Sequence, residues 1–298
     1  MQIKKVGIIG TGTMGLGITQ VCAQAGYSVV AVKATPGSWE KAKKSLEGGL
    51  AKAVERGKMK AEDRDAMLAR ITFTTDERAV AECDLVIESI VEDIDTKKDL
   101  FRRLEGVCRA DALLTTNTST LSVTAMMAVC KHRTRIAGLH FFNPAPVMKL
   151  VEIIHGFETS EEVIEDLNAF CKAIGKDPVI VQDTTGFIVN RLLTPYMLNA
   201  IRMLERGTGT IESIDQAMKL GAAHPMGPFE LADYIGLDVV EAMAHNIFED
   251  VRHEHHAPPH TLTRLVQLGY LGRKTGKGFY DYAQRPPVQN PQLLRPVV

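Results

Sequence analysis

The chain has 298 residues, 45% of them apolar, and its 35 basic and 36 acidic residues leave a net charge of -1. That length suits one large or two modest domains, at roughly 100–200 residues each, and the apolar share is that of a packed globular protein, not a disordered one. The charge balance excludes the basic surface of a dedicated nucleic-acid binder, and no segment approaches the ~20 apolar residues that cross a bilayer.

The first ten residues read as the start of a strand, not as a signal peptide. Apolar, β-branched runs recur at residues 6–9, 29–32, 84–88, 112–115, 135–139 and 179–181, as expected of strands buried on both faces of a parallel sheet. Amphipathic stretches separate them. Trp39, Ala42, Leu46, Leu50 and Ala53 repeat at helical spacing, with Lys41, Lys43, Lys44, Glu47, Lys52 and Glu55 between them. Strand and helix in alternation imply right-handed βαβ units and a doubly wound α/β sheet of the Rossmann type.

Directly after the first strand comes Gly10-Thr11-Gly12-Thr13-Met14-Gly15, which opens a helix whose Ile18, Val21, Cys22 and Ala25 share a face with Met14. Gly10 permits the tight turn, Gly12 lets the backbone approach a pyrophosphate, and Gly15 lets helix and strand pack closely. Thr13 and Met14 begin the helix, whose free N–H groups and positive dipole end suit phosphates. With strand, turn, helix and second strand all in place, the motif predicts a bound dinucleotide. The second strand should end in an acid for the adenosine ribose diol, yet it ends in Lys33. Two readings stay open: Lys33 pairs with a 2′-phosphate, or it points to solvent.

The segment 138–144 places His140 at the end of a buried strand, at the edge where ligands of open α/β sheets gather. Twelve residues later Glu152 stands alone in the apolar run 149–154. A histidine can take a hydroxyl proton near neutral pH, and a partly buried carboxylate fixes its tautomer and stabilises the imidazolium.

Beyond residue 184 the pattern turns helical. Residues 186–206 form a long apolar helical pattern that ends at Gly207, followed by helical stretches at 211–220 and 231–248 with the Pro225-Met226-Gly227-Pro228 break between them. The expected division is a dinucleotide-binding domain, 1–184, and a smaller all-helical domain, 185–298, that binds substrate and dimerises. A β-rich run returns only at 278–280, and the last dozen residues read as a loose tail. Cys22, Cys83, Cys108, Cys130 and Cys171 show no paired spacing, so they read as reduced thiols of a cytoplasmic protein. The histidines at 253, 255, 256 and 260 match no tetrahedral metal pattern, and no metal is expected. Lys52, Arg56, Lys58 and Lys60 form a basic run that could meet phosphates or could simply face solvent.

These motifs together resemble the 3-hydroxyacyl-CoA dehydrogenase family, particularly its short bacterial 3-hydroxybutyryl-CoA type. The resemblance runs through the glycine turn, Asn117-Thr118-Ser119, the stretch 140–152, residues 186–191, 224–231 and 276–280. It implies an enzyme exchanging a hydride between C3 of a short (S)-3-hydroxyacyl-CoA and a nicotinamide cofactor. His140 would be the acid and base, Glu152 its orienting partner, Ser119 the donor to the substrate oxygen and Asn190 the anchor of the acyl carbonyl. Asn143 resembles the nicotinamide-side contact, and Glu92 and Lys97 the loop that supports the cofactor. Asp93 stands where the family pattern leads one to expect asparagine. Lys52 and Arg56 become candidates for the phosphates of coenzyme A. NAD is implied, NADP is admitted by Lys33, and a homodimer is implied through the helical domain. Two other readings are a hydroxyacid or sugar-acid dehydrogenase without a CoA requirement and a non-enzymatic, crystallin-like protein. The related 6-phosphogluconate and hydroxyisobutyrate dehydrogenases use a catalytic lysine where this chain has Asn190.

Overall fold

The computed structural model describes residues 2–293 and divides into two compact units, Met1–Phe187 and Ile188–Val298. In chain order the first unit contains β1 (Lys5–Ile9), α1 (Thr13–Gln24), β2 (Ser28–Val32), α2 (Glu40–Glu55), α3 (Ala61–Leu68), β3 (Ile71–Thr74), β4 (Leu85–Glu88) and α4 (Ile94–Val107). It continues with β5 (Leu113–Thr116), α5 (Val123–Met127), β6 (Ile136–Phe141), β7 (Leu150–His155), α6 (Glu161–Ala173) and β8 (Asp177–Gln182).

All eight strands form one sheet in the order β3-β2-β1-β4-β5-β6-β7-β8. The chain winds outward from β1 to β3, returns to β4 on the other side, and so leaves a switch point between β1 and β4. Side-chain alternation sorts the core into two layers. Ile8, Leu85, Ile87, Leu139 and Phe141 pack under Ile18 of α1, Leu50 of α2 and Leu167 of α6. Ile9, Val86, Leu114 and Ile154 pack under Leu100 and Phe101 of α4 and Met126 of α5.

The sheet departs from the expected all-parallel pattern in one place, where β6 and β7 run antiparallel. Their connection, residues 142–149, is shorter than the dozen or so residues that a parallel crossover requires. The strand at 71–74 lacked a continuous apolar run because it is an edge strand, only partly buried. The opposite edge, β8, also differs from expectation: Val179 and Ile180 are exposed, not buried on both faces.

The second unit contains α7 (Val189–Glu205), α8 (Ile211–Gly221), α9 (Pro228–Ile235), α10 (Leu237–Val251), α11 (His260–Gln267) and the short pair β9 (Tyr280–Asp281) and β10 (Val288–Gln289). The single helix expected over 231–248 is two. Gly236 has φ +106, a left-handed-side conformation that glycine tolerates and that breaks the helix between α9 and α10. The loose tail expected over 287–298 is corrected up to residue 293, and residues 294–298 lie outside the described residues. Val288 and Gln289 pair with β9, and the buried Asn290 donates through Nδ2 to the carbonyl of Gly278 at 2.9 Å.

Two buried carboxylates hold this unit together. Asp215 accepts from the amides of Phe229 and Glu230, at the start of α9, and from the Tyr280 hydroxyl at 2.8 Å. Asp233 accepts from the amides of Phe279 and Tyr280 and from the Tyr282 hydroxyl. A Cβ on Gly278 would fall 2.1 Å from Asp233 Oδ1, so only glycine lets the strand come this close. Burial pushes the Asp233 carboxyl up to about 6, against the pull of its three donors. Because the folded value lies above the usual carboxylate value, this group's contribution to stability is full below about pH 4 and is lost as pH rises through about 6. The melting temperature should therefore carry a downward component between about pH 4 and 6, and Asp233→Asn should flatten that component, as calorimetry across this range would show. An unchanged slope would mean that Asp233 titrates normally in the folded chain.

Candidate active site

The glycine turn follows β1 at the switch point. Gly10 has φ +113, and a Cβ there would fall 2.2 Å from the carbonyl oxygen of Ser89, just beyond β4. A Cβ on Gly15 would fall 1.9 Å from the Gly10 carbonyl oxygen, whereas one on Gly12 would meet nothing within 4 Å. The first and third glycines are thus required by the protein's own packing. The second leaves open space beside the N-terminus of α1, where Thr13 and Met14 begin the helix, and a phosphate fits such a cradle.

Lys33 follows β2, and its ammonium turns back into its own loop. It donates to the Thr35 carbonyl at 2.7 Å, the Thr35 hydroxyl at 2.8 Å and the Pro36 carbonyl at 2.6 Å. An ammonium has three donors, and all three are engaged here.

A polar network lies beneath the switch point. Glu88 ends β4, fully buried. Its Oε1 accepts from Lys97 Nζ at 2.5 Å and the Ile90 amide at 2.7 Å, and its Oε2 from the Thr116 hydroxyl at 2.7 Å. Lys97, only 1% exposed, also lies 3.4 Å from Glu92 Oε2. Glu92 Oε1 in turn accepts from the Thr118 hydroxyl (2.6 Å), the Ser119 amide (2.9 Å), the Ser119 hydroxyl (3.2 Å) and the Thr120 amide (3.3 Å). Burial opposes ionisation of Glu92, but the Lys97 charge and these donors together hold it below its ordinary value. Asp93 caps α4, accepting from the Thr96 amide at 2.8 Å and the Thr96 hydroxyl. Lys97, expected with Glu92 in the loop that supports the cofactor, is enclosed between the carboxylates of Glu88 and Glu92.

On β6 and β7 the register sets His140 directly opposite Glu152, and Gly138 opposite Ile154. Both side chains project to the α4/α5 side, because Leu139, Phe141, Val151 and Ile153 occupy the other face. His140 Nδ1 lies 2.8 Å from Glu152 Oε2, with His140 6% and Glu152 1% exposed. With the carboxylate accepting the Nδ1 proton, the lone pair falls on Nε2. Phe142 and Phe187 flank the ring, at centroid distances of 4.5 and 5.6 Å. Asn117, beyond β5, accepts from the Phe141 amide at 2.8 Å and ties this end of β6 to Ser119's segment.

Asn143 is exposed in the connection after β6. Its neighbours are held by Lys176, whose buried ammonium donates to the carbonyls of Ala145 and Met148. Two residues important to this architecture, Glu88 and Lys176, escaped the sequence reading. The signal for Glu88 was present, as the one charge closing the apolar run of β4. For Lys176 nothing local marks it. Asn190 is the second residue of α7, in the second unit. Lys52 lies in the last turn of α2 and Arg56 caps it, both exposed along with Lys58 and Lys60. Among the described residues no cluster of three or more histidine, cysteine or acidic side chains could hold a metal, and no helix is long and apolar enough to cross a membrane.

Comparison with known proteins covers most of the chain. Residues 5–184 match the NAD-binding domain of 3-hydroxyacyl-CoA dehydrogenases, and residues 186–282 match the C-terminal domain of the same enzymes. The chain is 45% identical to the mitochondrial hydroxyacyl-coenzyme A dehydrogenase of Homo sapiens over 287 residues, 94% of this chain and 91% of that one. It is 40% identical to a 3-hydroxybutyryl-CoA dehydrogenase of Mycobacterium tuberculosis over 282 residues, covering 94% and 99% of the two chains. The crystal structure of the (S)-3-hydroxybutyryl-CoA dehydrogenase from Ralstonia eutropha superposes with a TM-score of 0.91 at 38% identity, over 95% of this chain and all of that one.

Proposed function

The chain belongs to the 3-hydroxyacyl-CoA dehydrogenase family, and we propose that it interconverts short (S)-3-hydroxyacyl-CoA and 3-oxoacyl-CoA. The observation that carries the proposal is the buried His140–Glu152 pair, 2.8 Å apart, on the same sheet edge as the glycine turn. A nicotinamide cofactor supplies the hydride chemistry when bound.

The chain's own residues do the rest. In oxidation, His140 Nε2 takes the C3 hydroxyl proton, while Glu152 holds the ring through Nδ1 and stabilises the imidazolium. In reduction, the imidazolium returns that proton to the C3 oxygen. The Ser119 hydroxyl, whose single proton points to Glu92 Oε1 in the free chain, turns that proton to the same oxygen when substrate binds, while its amide stays on Glu92. We assign Asn190 to the acyl carbonyl, Asn143 to the nicotinamide side of the cofactor, and Lys52 and Arg56 to the phosphates of coenzyme A. The first unit takes the dinucleotide and the second serves substrate binding and dimerisation. Five buried thiols, each pushed upward by burial, suit a reducing compartment such as the cytoplasm.

Three experiments follow from these assignments. The wild type should oxidise the reduced cofactor with acetoacetyl-CoA and far more slowly with free acetoacetate; equal rates would remove the CoA requirement. In the same assay His140→Ala should lower turnover about 10²–10⁴-fold with cofactor binding retained. Glu152→Gln should also be damaging, since an amide cannot stabilise the imidazolium. Near wild-type turnover in either variant would refute the pair's role.

For the second unit, Leu192, Leu220, Leu268 and Tyr234 are exposed apolar side chains that a partner copy would cover. Light scattering at micromolar concentration should give the mass of a dimer, and a monomer's mass would refute it.

The cofactor preference turns on position 33. Without a carboxylate the site neither holds a free ribose diol nor repels a 2′-phosphate, and loss of such repulsion is often the larger part of a specificity change. Lys33 adds little attraction, because an exposed ion pair is worth about 0–1 kcal/mol and its donors are already engaged within the loop. We therefore expect both NAD and NADP to be used. Measured as kcat/KM with NADH and NADPH, Lys33→Asp should shift preference towards NADH at least tenfold, about 1.4 kcal/mol. A wild type that already prefers NADH a hundredfold, with no change in the variant, would make Lys33 a bystander.

A further inference from the structure

We propose that Glu88, acting through Lys97 and Glu92, sets the charge of the reacting crevice and so biases binding toward the oxidised, cationic nicotinamide relative to the reduced, neutral one. The proposal rests on the dehydrogenase reading above and adds a positioning residue that never touches substrate or cofactor.

The argument starts from an excess of acid. Lys97 needs one carboxylate to neutralise it, and it has two, Glu88 at 2.5 Å and Glu92 at 3.4 Å. Two carboxylates and one ammonium leave one negative charge. Glu88 is fully enclosed and takes the shorter contact, so it engages the ammonium from the protein side. The remaining negative charge is left on Glu92, whose Oε1 lies 3.2 Å from the Ser119 hydroxyl. If Ser119 meets the reacting oxygen, that charge lies beside the reacting centre. Hydride transfer brings donor and acceptor carbons to about 3–3.5 Å, so a charge beside one is beside the other. A negative charge there favours the cationic ring. Remove Glu88's charge, and Lys97 and Glu92 would cancel.

A purely structural role for Glu88 makes a different prediction. Glutamine at position 88 keeps the shape and can keep the bonds: its carbonyl oxygen accepts from Lys97 and the Ile90 amide, and the Thr116 hydroxyl can turn to accept from its amide. Only the charge is lost. A structural residue would then weaken both cofactor forms together or neither.

The test is the ratio of dissociation constants, reduced over oxidised. It is obtained by NADH fluorescence titration and competition with NAD+, or with the NADP pair if the wild type binds that more tightly. Glu88→Gln should lower the ratio about three- to tenfold, the scale of one partly screened unit charge near the ring. Lys97→Gln should raise it, and the double variant Glu88→Gln/Lys97→Gln, which again carries one net negative charge, should return it to the wild-type value. Thermal unfolding identifies which variants are folded, and every folded variant must follow the net charge. A ratio unchanged across the folded variants, or one that fails to recover in the double variant, overturns the proposal. A wild type that binds neither cofactor form overturns the dehydrogenase reading itself, and this inference with it.

Discussion

The antiparallel pairing of β6 with β7 is the constraint on which the rest depends. In a strand every second side chain faces the same way, so a slip of one residue would move Glu152 to the far face of the sheet and leave His140 without its partner. The register is held on both sides of the pair. A Cβ on Gly138 would meet the Ile154 side chain at 2.7 Å, so that position accepts only glycine opposite Ile154. On the opposite face Leu139, Phe141, Val151 and Ile153 are fully engaged with the core. The histidine is therefore oriented by backbone pairing and apolar packing before its carboxylate adds anything, and the connection between the strands is left free to carry Asn143.

The switch point supplies a second fixed frame. Gly10 lies against Ser89, Ser89 follows Glu88, and Asn117 binds both Ser89 and the end of β6. Thus the glycine turn, the loop that carries Ser119 and the strand that carries His140 are joined by close packing and hydrogen bonds across four neighbouring strand ends. Strand ends are rigid because the ladder behind them is complete, and a constellation built there keeps its geometry better than one built on long loops.

How much of this was legible in the sequence differs from residue to residue. The buried strands announced themselves through continuous apolar runs, and the glycine turn through residues that only a close approach requires. His140 and Glu152 stood out because each is a charged or titratable group in an apolar strand. The direction of β7 was recoverable from the length of its connection, but no pattern of side chains records it. The break at Gly236 was hidden because the apolar period continues on both sides, and the hairpin at 280–289 because its first strand is held by Asp215 and Asp233, far away in the chain. The burial of Lys97 was invisible although Glu88 lies only nine residues away. A lysine at helical spacing looks solvated until the carboxylate beneath it is known.

That enclosed lysine also shapes how the protein can change over generations. Losing Lys97 would strand the buried Glu88 carboxylate, which costs about 3–5 kcal/mol, while a whole domain is stable by only about 5–15 kcal/mol. Losing Glu88's charge costs less, because Lys97 keeps Glu92. The route of change is therefore one-sided: position 88 can change first, and position 97 only after it or after stability has been gained elsewhere.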